Sequence, residues 1–277
     1  MEKFEKYFTI TIFLCLGICI GVSTLIHWLM PWIFQVPDFA PPTFSSSLML
    51  DLILTDTGAL VAAIIIFYYS YHKHGLWRSL LFLTGSFIFT GLEEAMWILS
   101  GRFGLVYPTY FFTKGGLWFF EVPFYTCIGW YVIAYSCVFL AEKIFPNKGH
   151  FFHAGLGAIL AVDFDLWTDP VMVNLNQASI LPADGGMWVW LMKDTLTIFG
   201  IPFMNFFGWF LVIFLFAILW KGVSARESQW GKKKATILFY ACIPLLLGIC
   251  LVALGGVEML IIKNFFKNVS ILPIPFG

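Results

Sequence analysis

Residues 162–209 read VDFDLWTDPVMVNLNQASILPADGGMWVWLMKDTLTIFGIPFMNFFGW. The stretch ends one apolar run, crosses a polar segment and enters a second run through Phe199-Gly200-Ile201-Pro202 and Asn205. Asp163, Asp165, Asp169, Asp184 and Asp194 alternate in it with Trp167, Trp188, Trp190 and Trp209. Acidic groups among aromatic rings at the boundary of an apolar run read as a site rather than a tether.

Working outward, composition sets the class. Hydrophobic residues make up 60% of the chain and charged residues 12%, far from the averages of soluble domains, so the fold expected is an all-α polytopic membrane protein. Sixteen basic residues balance sixteen acidic ones, and no net charge points to nucleic acid. The six cysteines all lie in apolar runs without a C-x-x-C pair and read as small core residues.

Lipid offers backbone polar groups no partner, so each run of about 20 apolar residues is expected to span as a helix. The runs fall at 7–30, 48–71, 77–100, 117–141, 151–167, 195–220 and 236–262, giving seven spans in a single domain, 1–277. Lys3 and Lys6 precede a first run too long for a signal-peptide core, which reads as a retained anchor. The segment 37–47, with Pro37, Pro41, Pro42 and Ser45-Ser46-Ser47, is expected to be a loop ending in a helix cap. No internal repeat is expected.

With the N-terminus cytoplasmic and the C-terminus outside, Lys3, Lys6, Lys73, Arg78, Lys143, Lys148, Lys221, Arg226, Lys232, Lys233 and Lys234 fall inside. Arg102, Lys114, Lys193, Lys263 and Lys267 fall outside, so the positive-inside rule favours this orientation in the cell membrane. It gathers Asp51, Asp56, Glu93, Glu94, Glu121, Asp163, Asp165, Asp169 and Glu258 in the outer half.

Ionisable groups within a span are expensive unless they face a cavity or each other, which makes these acids functional candidates. Glu94 stands out, with Trp97 a turn further on the same face and Glu93 rotated about 100° away. The structural alternative is pairing, with Arg102 for example, or capping of a neighbouring helix. Asp165 and Asp169 share a face if their helix continues that far, and Asp169-Pro170 equally suits a helix N-cap. Asp184 before Gly185-Gly186 reads as a turn former, and Asp194 as a helix-entry carboxylate. Asn205 is suited to hold a carboxylate or water, or to act as interhelical glue.

Of the five histidines only His150 and His153 have a ligand-like spacing, and no H-E-x-x-H, phosphate loop or dinucleotide fingerprint occurs. No cofactor is expected and no metal site is assigned, a divalent ion of the magnesium or calcium type among Glu94, Asp165 and Asp169 being left open. The chemistry is then left to carboxyl groups. A carboxyl desolvated in an apolar pocket keeps its proton and can deliver it to an isolated alkene. The faces of Trp97, Trp118, Trp188 and Trp190 suit the resulting carbocation, although most of the 32 phenylalanines are assigned to packing and lipid contact. A second carboxylate directing water onto the cation gives hydration, and removing a proton instead gives cyclisation or isomerisation. The substrate class is a long isoprenoid.

The residues also carry a resemblance. Gly91-Leu92-Glu93-Glu94 is followed by Gly101-Arg102-Phe103-Gly104-Leu105-Val106-Tyr107, Asp165 with Asp169-Pro170, Trp188-x-Trp190, and Phe199-Gly200-Ile201-Pro202-x-x-Asn205-x-x-Gly208-Trp209. This series resembles the membrane carotenoid hydratase family, often labelled carotenoid biosynthesis protein, over roughly residues 80–215. The resemblance implies an all-helical membrane enzyme that adds water to the terminal double bond of an acyclic carotenoid without a redox cofactor, as in γ-carotene or bisanhydrobacterioruberin. On the physical argument Glu94 is expected as the acid, Asp165 or Asp169 as the group that holds the water and takes its proton, and Asn205 as the orienter of that water, with Glu93 a further catalytic candidate. Trp97, Trp118, Tyr107, Trp188, Trp190 and Trp209 are expected to line the substrate. A carotenoid or isoprenoid cyclase, and a lipid transporter using the acids as a proton relay, are the rival readings.

Overall fold

The computed structural model describes residues 3–34, 46–103, 109–174, 187–192 and 194–272. The expectations for the linker before Ser46, for Tyr107, Asp184 and Lys193, and for the side chain of Asp51 lie outside the described residues.

Helix dominates, as lipid requires of an apolar backbone. In order come α1 (Lys3–Leu29), α2 (Ser46–His74), α3 (Leu76–Arg102), α4 (Phe124–Ile144), α5 (His150–Asn174), α6 (Phe203–Ala225) and α7 (Glu227–Val257). A π-helical turn, Glu258–Ile262, and a last helical turn, Lys263–Phe265, extend α7. Six of these helices are long and apolar enough to cross a membrane, and α5 is a seventh helix of 25 residues that carries three aspartates. The protein is an all-α polytopic membrane protein.

Two expected spans begin too early. Residues 118–123 form a tight hairpin, β2 (Trp118–Phe119) with β3 (Val122–Pro123), and residues 197–202 form another, β5 (Thr197–Ile198) with β6 (Ile201–Pro202). The residue before a proline is pushed out of the α region, so Val122 and Ile201 are extended, and α4 and α6 start immediately after Pro123 and Pro202. Glu121 therefore sits in a hairpin turn and does not open α4.

Contacts divide the chain into two compact units. The first comprises Met1–Ala95, Lys114–Tyr135 and Trp220–Ala241. Within it Trp77 Nε1 donates to Thr236 Oγ1 at 2.9 Å, and Arg78 and Lys232 pair with Glu227 and Glu5. Gly91 of α3 lies against the β2–β3 hairpin, where a Cβ would stand 2.7 Å from the Phe119 ring.

The second unit comprises Met96–Thr113, Ser136–Leu219 and Cys242–Gly277. Ala154, Ala158 and Ala161 of α5 are fully buried, and a Cβ on Gly157 would lie 2.9 Å from the Val138 Cα. This small-residue face lets the backbones of α4 and α5 approach, as helices packed in lipid require. A two-stranded ribbon pairs β1 (Tyr110–Phe112) antiparallel with β4 (Trp188–Trp190), Tyr110 opposite Trp190. β7 (Ser270–Ile271) adds to β5 in parallel, extending the second hairpin to three strands.

Candidate functional site

The site in the second unit is built by α5, β4 and the first turn of α6. Because α5 runs on through Pro170 to Asn174, Asp165 and Asp169 lie inside it, one turn apart on one face. The N-cap reading of Asp169 is thereby overturned. Both side chains are buried, at 2% and 1% exposure, where an apolar surrounding makes an unpaired carboxylate untenable.

Their partner is Asn205, the third residue of α6. Its Nδ2 donates to Asp165 Oδ2 at 2.6 Å and to Asp169 Oδ2 at 2.7 Å, so one amide spans both carboxyls. The indole Nε1 of Trp188 donates to Asp169 Oδ1 at 2.7 Å, and that of Trp190 lies 3.3 Å from the same atom. Trp188 and Trp190 can both reach Asp169 because alternate residues of a strand point the same way. Three N–H donors thus converge on Asp169.

The β1 strand supports the indoles from the side. Tyr110 packs on Trp190 with ring centroids 4.7 Å apart, and Phe112 on Trp188 at 6.0 Å. Neither residue was singled out from the sequence; their alternation in Tyr110-Phe111-Phe112 is the signal that would have found them. Among the described residues no group of three metal-ligating side chains is placed to hold an ion.

The remaining expected residues divide between the two units. Glu94, in the first unit, accepts a hydrogen bond from Trp130 Nε1 at 2.9 Å, and Glu93 beside it is more deeply buried, at 6% exposure. Trp118, also in the first unit, is buried in a stack with His27 at 4.0 Å, and His27 in turn stacks on Phe34 at 3.7 Å. Trp97 in α3 and Trp209 in α6 are half-buried, and Trp209 falls one turn beyond Asn205. Asp163 is exposed on α5. Asp194 does not open a helix: it has a positive φ of 57°, precedes the second hairpin and pairs with Lys267 at 3.4 Å.

A sequence repeat emerges once the hairpins are seen. Leu117-Trp-Phe-Phe120-Glu-Val-Pro123-Phe124-Tyr-Thr-Cys-Ile-Gly129-Trp130 aligns without a gap to Leu196-Thr-Ile-Phe199-Gly-Ile-Pro202-Phe203-Met-Asn-Phe-Phe-Gly208-Trp209. Leu, Phe, Pro, Phe, Gly and Trp recur at the same places, which corrects the expectation of no internal repeat. The two corners also fold alike. Phe120 and Phe199 both have φ of 53°, and Phe124 N and Phe203 N donate to Leu117 O and Leu196 O, each at 2.8 Å. Gly200, with φ of 77°, completes two successive positive-φ residues, the twist that a two-residue hairpin demands. In this alignment Asn205 corresponds to Thr126 and Trp209 to Trp130, the residue that holds Glu94.

A chain of membrane-spanning helices with a buried pair of carboxyls bridged by an amide and flanked by indoles defines a polytopic membrane protein with a buried polar centre. A family model described as carotenoid biosynthesis protein matches residues 55–268, more than half of the chain. The chain belongs to the carotenoid biosynthesis protein family, which gives it a role in carotenoid biosynthesis. No curated protein and no solved structure matches it.

Proposed function

We propose that the protein is a carotenoid hydratase that adds water, without a redox cofactor, to the terminal double bond of an acyclic carotenoid or related isoprenoid. The observation that supports this most is the single amide of Asn205 joined to two buried carboxyls, Asp165 and Asp169. Such a pair can carry one proton between two acids, the arrangement by which paired carboxyls divide the work of acid and base.

In the proposed reaction Asp165 delivers the proton to the less substituted carbon of the terminal double bond and leaves a tertiary carbocation on the other. Asp169, held as the anion by Asn205, Trp188 and Trp190, takes a proton from the attacking water as the C–O bond forms. The alkene gains H and OH, and a proton has moved from Asp165 to Asp169. Its return between the neighbouring acids resets the site. The aromatic layer of Trp188, Trp190, Tyr110 and Phe112 supplies ring faces for the cation. Trp209 is proposed to line the substrate beside Asn205.

The test is expression in cells that accumulate lycopene or a related acyclic carotenoid, with pigments weighed in ordinary and 18O-labelled water. Gain of one labelled water at an end group supports hydration. An isomer of unchanged mass would replace it with a cyclase, and unaltered pigment would remove the reading.

A further inference from the structure

We propose that Glu258 is a positioning residue for this reaction centre: through Thr195 it fixes the corner from which α6 starts and so sets where Asn205 meets the two aspartates. The proposal rests on the reading of the Asp165–Asn205–Asp169 centre given above.

The corner is held from two sides by the segment that Glu258 opens. α7 is α-helical to Val257 and then passes into the π-helical turn Glu258–Ile262. Such a turn gives up the ordinary i→i−4 bonding for one residue's worth of extra winding and recurs at functional sites. Here it accompanies a carboxyl turned inward, 8% exposed, in an otherwise apolar helix. Thr195, itself 5% exposed, donates its hydroxyl to Glu258 Oε2 at 3.1 Å.

Thr195 is one residue before Leu196, whose carbonyl receives Phe203 N at the start of α6. Beyond the π turn the chain returns to the same hairpin. Thr197 N donates to Val269 O at 2.9 Å, and β7 pairs with β5. Glu258 and β7 therefore clamp the hairpin that launches α6, and Asn205 is only two residues inside that helix.

The first unit gives an independent instance. There the corner residue Leu117, counterpart of Leu196, donates its N–H to Asp56 Oδ2 at 3.1 Å, and a Cβ on Gly116, counterpart of Thr195, would lie 2.6 Å from that oxygen. Asp56 comes from α2 and Glu258 from the end of α7, so two unrelated helices bring a buried carboxyl to the same point of the repeated corner. In both, one oxygen is buried without a hydrogen-bond partner among the described residues, Asp56 Oδ1 and Glu258 Oε1. A carboxyl is an expensive way to fill space in a membrane helix. Its recurrence at equivalent corners is accounted for by what it holds.

The experiment compares wild type, Glu258→Ala, Glu258→Gln and Thr195→Val in proteoliposomes loaded with an acyclic carotenoid, reading labelled-water product. Displacing a reacting group by about 1 Å is enough to reduce turnover about 100-fold, so Glu258→Ala and Thr195→Val are each expected to lower kcat by about 10- to 100-fold. KM stays within about twofold, because the substrate-lining residues are untouched. Glu258→Gln retains an oxygen for the Thr195 hydroxyl and restores at least about half of the wild-type kcat.

If Glu258→Gln is as inactive as Glu258→Ala, the carboxyl takes part in proton transfer and the positioning role is overturned. Unchanged kcat in Thr195→Val, or a raised KM at constant kcat, overturns it as well. Thr195→Val, which removes one hydroxyl, carries the comparison where Glu258→Ala does not fold. Failure of wild type to incorporate label is a different result and counts against hydration itself.

Discussion

Asn205 Nδ2 lies 2.6 Å from Asp165 Oδ2, a contact between the first turn of α6 and the middle of α5 that ties two helices through one side-chain amide. The same nitrogen reaches Asp169, so its two hydrogens are both committed and its carbonyl oxygen is the atom suited to receive a water. Asn205→Ala is expected to leave both carboxyls in place but unbridged. Removal of a preorganised donor of this kind typically lowers turnover about 10²–10³-fold. Rates of labelled-water incorporation measure this, and a variant within threefold of wild type would refute the bridge's part in the reaction.

The two aspartates are expected to respond differently to amidation. Asp169 receives three N–H donors, and an asparagine there would turn its own NH2 against some of them. Hydrogen bonds to a charged group are worth about 1.5–3 kcal/mol each, so Asp169→Asn lowers the thermal midpoint of the detergent-solubilised protein as well as its activity. Asp165→Asn exchanges an acid for a group that cannot deliver a proton, and the expected loss is about 10²–10⁴-fold in rate with a smaller change in midpoint. Equal midpoints for the two variants would show that the donors around Asp169 contribute little to the fold.

Much of this centre was legible before any coordinates. The i, i+4 spacing of Asp165 and Asp169, the Trp188-x-Trp190 alternation and a lone Asn205 in an apolar run are local patterns, and the helix and strand periods convert each directly into a shared face. The seven helices followed from the same logic applied to run length. What escaped was set by the two prolines and by the chain's long-range returns. An apolar run such as Leu117-Trp118-Phe119-Phe120 has the composition of a span, and only a β-branched residue before Pro123 or Pro202 marks the hairpin. The packing of Trp118 has no local signal, because its stack on His27 depends on α1, about 90 residues earlier in the chain. The β1–β4 pairing that brings Tyr110 to Trp190 joins residues 80 apart and leaves no local trace.

The two functions available to Trp188 can be separated. Its N–H donates to Asp169 at 2.7 Å, while its ring packs beside Phe112 and offers a face to a cation. Trp188→Phe keeps an aromatic face and removes the donor; Trp188→Leu removes both. A charge-assisted hydrogen bond of about 1.5–3 kcal/mol corresponds to about a 10- to 100-fold effect if fully expressed in the transition state, so Trp188→Phe is expected to fall in that range. A further drop of about threefold or more in Trp188→Leu would identify a cation–π contribution, whose usual size is about 0.5–2 kcal/mol. Equal rates for the two variants would leave the indole with hydrogen bonding alone.

The placement of both aspartates depends on how closely α5 can approach α4, and Gly157 is the residue that permits it. A Cβ there would lie 2.9 Å from the Val138 Cα and 3.1 Å from its N, backbone atoms that cannot rotate away as a side chain would. Ala154, Ala158 and Ala161 continue the same small-residue face, so the strain of Gly157→Ala must be relieved by moving α5 as a body. Overpacking of this kind costs about 1–3 kcal/mol, and the expected result is a lower thermal midpoint together with reduced turnover, although residue 157 is two helical turns from Asp165. A parallel Gly155→Ala variant, where no atom lies within 4 Å of the added methyl, is expected to behave as wild type. The pair of midpoints, with hydration rates measured on the same samples, decides whether close helix packing sets the geometry of the acid pair: equal behaviour of the two variants would show that it does not.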